Sequence, residues 1–152
     1  MAKKSLKQAL YRFCQHFIEE RLCRIEENMA SIQESLSAET KSSAGDKHET
    51  ARAMLQLERE KLGQQLAEAE STRQSLAKVN IETRSYMVGL GSLVQTSKAH
   101  YFLSISASEF KDFEDSIFCI SSGTPIAQLL LGKSKGDVVV FNGEHIEVLK
   151  IS

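Results

Sequence analysis

The chain carries 19 basic and 20 acidic side chains in 152 residues, and its net charge of −1 excludes a globally cationic nucleic-acid binder; polyanion contact would need a local patch. That length allows one domain or two small ones, each with a modest core. Cys14, Cys23 and Cys119, with neither CxxC spacing nor an even count, read as free thiols in a reducing compartment, and no apolar run approaches a membrane span.

The basic start, MAKKSLKQALYRFCQHF, lacks the continuous apolar stretch of a signal peptide, so a cytoplasmic protein is expected. Leu6, Leu10, Phe13 and Phe17 then lead, after a small phase slip, into Ile18, Leu22, Ile25, Met29, Ile32 and Leu36, spaced four, three, four, three, four. This is a heptad seam. A second run, from about 46 to 79, places Leu55, Leu62, Ala69 and Leu76 seven apart, with Ala51, Leu66 and Val79 beside them. Two such stripes joined by the short polar KSSAGDK bury each other only by folding back antiparallel. Each arm reaches roughly 50 Å at about 1.5 Å per residue, too long to pack wholly on what remains of the chain. Phe13 and Phe17 are expected to pack the base of this coiled coil.

Near residue 80 the composition changes. Before it there is no proline and only Gly45 and Gly63; after it come the other six of eight glycines and the only proline, Pro125. A helical half, 1–80, followed by a strand-rich half, 81–152, is expected. MVGLGSLVQT (87–96), HYFLSIS (100–106) and SIFCI (116–120) have the β-branched and aromatic weight of strands. TPIAQLLLGK reads as a short helix with Thr124 as N-cap, Pro125 in the first helical position and Gly132 as stop. DVVVF and HIEVLKI flank Asn142-Gly143, a strong hairpin signal. The fold class is α+β: a long antiparallel coiled-coil hairpin, then a small antiparallel sheet with one short helix. Gly132 and Gly136 lack a Walker pattern and read as turns. His16, His100 and His145 are scattered without metal-ligand spacing, and His48 sits in the bend.

The bend itself, SSAGDKHET, carries Asp46 and Glu49. They form a capping box, with Asp46 as N-cap and Glu49 reaching back at N3. An i, i+3 pair also puts two carboxylates on one face of a first helical turn, as a metal site needs. Ser43 with Asp46 offers a second, offset cap, so both roles can coexist.

TPIAQLLLGKSKGDVVVF resembles the C-terminal signature of the bacterial GreA/GreB-type transcript cleavage factors. The matching residues are Thr124, Pro125, Ala127, Leu129, Leu130, Gly132, Lys133, Gly136 and Asp137. VGLGSLV is similar to the opening of that domain, which is FKBP-like but lacks isomerase activity. An antiparallel coiled coil of about this length precedes it in the family, so the resemblance spans nearly the whole chain. Gly45, Asp46 and Glu49 are similar to the start of the family's tip pattern, Gly-Asp-x-x-Glu-Asn-Ala-Glu-Tyr. Beyond it this chain has Thr50, Ala51, Arg52 and Ala53, which replace an acid by a cation and lose the aromatic ring.

The resemblance implies a transcription elongation factor. It would bind RNA polymerase, insert its coiled coil into the secondary channel and stimulate cleavage of backtracked RNA through Asp46 and Glu49. The loop Ser122, Gly123, Thr124 and Pro125 matches the family's polymerase-docking loop. No cofactor would be bound alone; Mg²⁺ would be shared with the polymerase, whose own activity performs the cleavage, so the protein is not an enzyme by itself. RNA and DNA would be met only within the elongation complex, and a monomer that avoids membranes is expected. The Arg52 and Ala53 departures motivate a first alternative, a regulator that occupies the channel without cleaving. A coiled-coil assembly protein unrelated to transcription is the second.

Overall fold

The computed structural model describes residues 2–41, 46–82, 85–112 and 115–152, and the side chains of these except 2–5, 39–41 and 46–48. Two helices open the chain, α1 (Ala2–Lys41) and α2 (Asp46–Ala77). Six strands follow: β1 (Leu93–Thr96), β2 (His100–Ser104), β3 (Glu109–Lys111), β4 (Ser116–Ser121), β5 (Val138–Phe141) and β6 (Glu144–Ile151), with α3 (Pro125–Leu130) between β4 and β5. The offset cap expected at Ser43, and Gly45 of the tip pattern, fall outside the described residues. Among the described residues no helix is long and apolar enough to cross a membrane.

The chain divides into two compact units. One, Ile18–Arg73, is the two-helix arm. Its seam follows the heptad spacing: Ile18, Leu22, Ile25 and Leu36 of α1 and Leu62 and Ala69 of α2 are buried. Met29, Ile32, Leu55 and Leu66 are half-buried beside them. Arg73 reaches Glu19 at 3.7 Å, which sets the end of α2 beside α1 and makes the pair antiparallel. Both side chains are about half exposed, so this ion pair adds little to stability. The seam holds the arm together.

The other unit joins Met1–Phe17 to Gln74–Ser152. Its sheet runs β3-β4-β2-β1-β6-β5. The expectation of a purely antiparallel sheet is corrected here, because β2 and β4 pair in parallel, with Phe102 opposite Cys119. The short β3, absent from the sequence expectation, lies outside β4 with Phe110 opposite Ile117. The chain leaves β2, turns through this edge strand and re-enters beside β2, which leaves β4 no choice but to run parallel to it.

Both faces of the sheet are covered near β2. On one, Leu103, Val94, Val139, Ile146 and Val148 pack with Ile126, Ala127 and Leu130 of α3. On the other, Phe102, Leu93, Ile117 and Cys119 are buried, and the first turns of α1 meet this side. Phe13 makes an edge-on ring contact with Phe110 at 5.3 Å between centroids. It therefore packs on β3 and does not serve the helix pair alone. Burying residues of both faces of β2 removes the polar alternation a half-solvated strand would have.

The expected strand at 87–96 is shortened to β1. Gly91, at φ +90°, lies so close to the Asn80 carbonyl that an added Cβ would collide with it. A turn between Gly89 and Ser92, closed by the Ser92 N–H on the Gly89 carbonyl at 3.1 Å, breaks the run. Asn142 and Gly143, at φ 51° and 79°, form the expected two-residue turn between β5 and β6.

Candidate functional site

Two places match the expected site residues, one in each unit. At the first, α2 includes Asp46 in its opening turn. The capping box expected of Asp46 and Glu49 needs the Asp46 side chain and so lies outside the described residues. The Asp46 side chain, Lys47 and His48 lie outside the described side chains. Glu49 and Thr50 are exposed, while Ala51 and Arg52 are half-buried. Positions i and i+3 fall on one side of a helical turn, so α2 carries 46 and 49 together on its first turn, where its dipole favours anionic groups.

Among the described residues, no three His, Cys, Asp or Glu side chains gather as metal ligands. A divalent magnesium ion takes six ligands. Two carboxylates alone fall short of that number, and one of the two, Asp46, lies outside the described side chains.

The second place is the turn between β4 and α3. Ser122, Gly123 and Pro125 are exposed and Thr124 is half-buried. Thr124 is the N-cap of α3, with extended backbone, and its Oγ1 accepts from the Ala127 N–H at 3.3 Å. That hydroxyl also donates to the Ser121 carbonyl at 2.9 Å. Pro125 follows in the first helical turn, where its missing N–H costs nothing. The helix ends as expected just before Gly132, whose N–H donates to the Val88 carbonyl at 2.9 Å.

Sequence reading missed what holds this turn from behind. Ser106 Oγ accepts from the Ser121 N–H at 3.3 Å and lies 3.2 Å from Ser121 Oγ. Neither serine carries a local signal, because the pairing spans 15 residues. The Gly136-Asp137 step has a structural task too. Asp137 Oδ2 accepts from the Ser134 N–H at 2.8 Å, and the Asp137 N–H donates to the Ser134 carbonyl at 3.0 Å. This closes the turn that launches β5.

No protein-family model matches the chain, and no curated protein sequence does. Among solved structures, it is similar to the crystal structure of GreA factor homolog 1 (Gfh1) of Thermus thermophilus, at 19% identity and a TM-score of 0.36. The likeness covers 89% of this chain and 92% of that one. The Gre-type reading therefore rests on the motifs of this sequence and on what they build.

Proposed function

We propose that the protein is a transcription elongation factor that binds RNA polymerase and inserts its helical arm into the secondary channel, where it stimulates cleavage of backtracked RNA. The observation that carries this reading is the TPIAQLLLGKSKGDVVVF segment. It pairs an exposed, N-capped Ser122–Gly123–Thr124–Pro125 turn with a separate two-helix arm that bears Asp46 and Glu49 beside its bend. In this reading the sheet unit, FKBP-like in the family, docks on the polymerase through 122–125.

Asp46 and Glu49 would hold a magnesium ion together with polymerase ligands, and that ion would supply an activated water and a stabilised leaving oxygen. The chain's own part is to carry two carboxylates on a rigid helix to a site that lacks ligands. It contributes no catalysis without the polymerase, its nucleic-acid contacts lie within the elongation complex, and it acts as a cytoplasmic monomer.

Arg52 favours a second reading within the same architecture. A guanidinium one turn beyond Glu49 lowers the local negative charge and weakens the pull on a dication. A channel-occupying regulator that does not cleave would follow.

A stalled, backtracked elongation complex made with the cognate polymerase separates these readings. Magnesium-dependent release of short RNA fragments by the wild type, lost in Asp46→Ala/Glu49→Ala, is the expected result. Binding without release leaves the non-cleaving regulator. Absence of polymerase binding sinks both.

A further inference from the structure

The turn that carries β5 into β6 has a chemistry that the proposed function does not use. Asn142 and Gly143 take φ of 51° and 79°, and both are exposed. The strands close on the Phe141–Glu144 pair, so the two turn residues lie outside the ladder. A Cβ built at Gly143 would meet nothing within 4 Å, so this side of the turn backbone is uncovered. Among the described residues nothing is hydrogen-bonded to the Asn142 carboxamide.

We infer that Asn142-Gly143 is a spontaneous modification site, at which the folded chain loses ammonia, passes through a cyclic imide to aspartate and isoaspartate, and so loosens β5 from β6. The Gly143 N–H gives its proton to hydroxide, and the nitrogen attacks Asn142 Cγ. The C–N bond of the carboxamide breaks, and ammonia leaves with a proton taken from water. The ring so formed holds Asn142 Cγ, Cβ, Cα and C with the Gly143 nitrogen. Water then opens it at either carbonyl. Attack at Cγ restores the ordinary peptide and leaves aspartate; attack at the main-chain carbon leaves the chain running through Cβ, as isoaspartate. Water enters and ammonia departs, and nothing is oxidised or reduced.

Glycine in second place matters for the approach. With no Cβ it leaves the attacking nitrogen unhindered, and its backbone freedom lets the pair rotate toward ring closure. The other two asparagines are internal controls. Asn28 is exposed but lies well inside α1, where the helix fixes its backbone and the Met29 N–H is committed to a carbonyl of the preceding turn. Asn80 Oδ1 accepts from the Glu82 N–H at 2.9 Å, and the β-branched Ile81 follows it.

Isoaspartate adds a methylene to the main chain, so a two-residue turn no longer joins the strands in register. The Val139–Ile146 pair, buried with α3, stands next to that turn in the ladder. Either product also adds a negative charge close to Glu144, which lies 3.6 Å from Lys98.

The test is a peptide map of the folded full chain after incubation at mildly alkaline pH, with a urea-unfolded sample beside it. The expected result is that the peptide holding 142–143 splits into two products, each heavier by the exchange of an amide NH₂ for a hydroxyl, while Asn28 and Asn80 stay intact. The rate should rise in proportion to hydroxide, and Gly143→Ala should slow it; if that variant does not fold, the wild-type map decides. The purified isoaspartyl form should unfold at lower urea than Asn142→Asp, which carries the charge without the methylene. Conversion in urea but not in the folded chain, or loss at Asn28 or Asn80 as fast as at Asn142, would overturn the site. Equal urea midpoints for the isoaspartyl form and Asn142→Asp would overturn the loosening of β5.

Discussion

The Tyr11 hydroxyl donates to the Leu76 carbonyl at 3.1 Å, across 65 residues, and so ties the start of α1 to the last turn of α2. Leu76 is among the final residues of α2, and its carbonyl also accepts from the Val79 N–H at 3.0 Å. The phenol is therefore a second donor to a helix-end carbonyl that the turn after α2 already holds.

Tyr11→Phe keeps the ring and removes only the donor. Unfolding in urea should lose about 1 kcal/mol, the net worth of one such bond. No change would mean that water replaces the hydroxyl without loss.

Gly91→Ala should be among the most damaging single-methyl additions in the protein. The new Cβ would strike the Asn80 carbonyl and press on Val79, at a φ of +90° that L side chains rarely adopt. A loss of about 2–4 kcal/mol is expected from strain and collision together. Thermal melting of the purified variant measures it, and a melting point equal to wild type would show that the turn from Gly89 to Ser92 relaxes freely.

Thr124→Ala removes the α3 cap and should cost about 1 kcal/mol, whereas Thr124→Ser should stay within a few tenths. Both are read from urea midpoints. If the turn at 122–125 docks on polymerase, Thr124→Ser should also retain binding, because Oγ is still there to accept from the Ala127 N–H.

Lys7 makes a pH prediction. It is buried, with Nζ donating to the Ser152 carbonyl at 3.2 Å, and desolvation holds its pKa below the ordinary lysine value. Between the lowered folded value and the higher unfolded one, the unfolded chain binds more protons, so this contribution to stability rises with pH through that window. At lower pH the full cost of burying the ammonium stands. Urea midpoints of wild type and Lys7→Met, taken from neutral pH up to about pH 10, should draw together in favour of the wild type as pH rises. A difference that does not change with pH would mean the ammonium is solvated in the folded state.

Much of the fold is legible in the sequence because it is local. The heptad spacing from Ile18 to Leu36 marks the residues that are buried or half-buried in the arm, since a helix repeats its faces over a few residues whatever lies elsewhere. Thr124-Pro125 begins α3 and Asn142-Gly143 turns β5 into β6 for the same reason: cap and turn geometry are satisfied within four residues. The candidate site was legible in part. The turn at 122–125 follows from its cap, but the serines that brace it are remote from one another in sequence.

What the sequence alone determined, then, is the helical hairpin, the short helix and the final β-turn, each specified by neighbouring residues. Tertiary structure alone decided that β4 enters parallel to β2, that β3 forms the edge, and that the first turns of α1 put Phe13 against Phe110 and Cys14 beside Ser104. The physical reason is burial on both sides of β2. With Phe102 and Leu103 both removed from water, the strand has no polar face to declare its partners, and only the folded chain brings those partners to it.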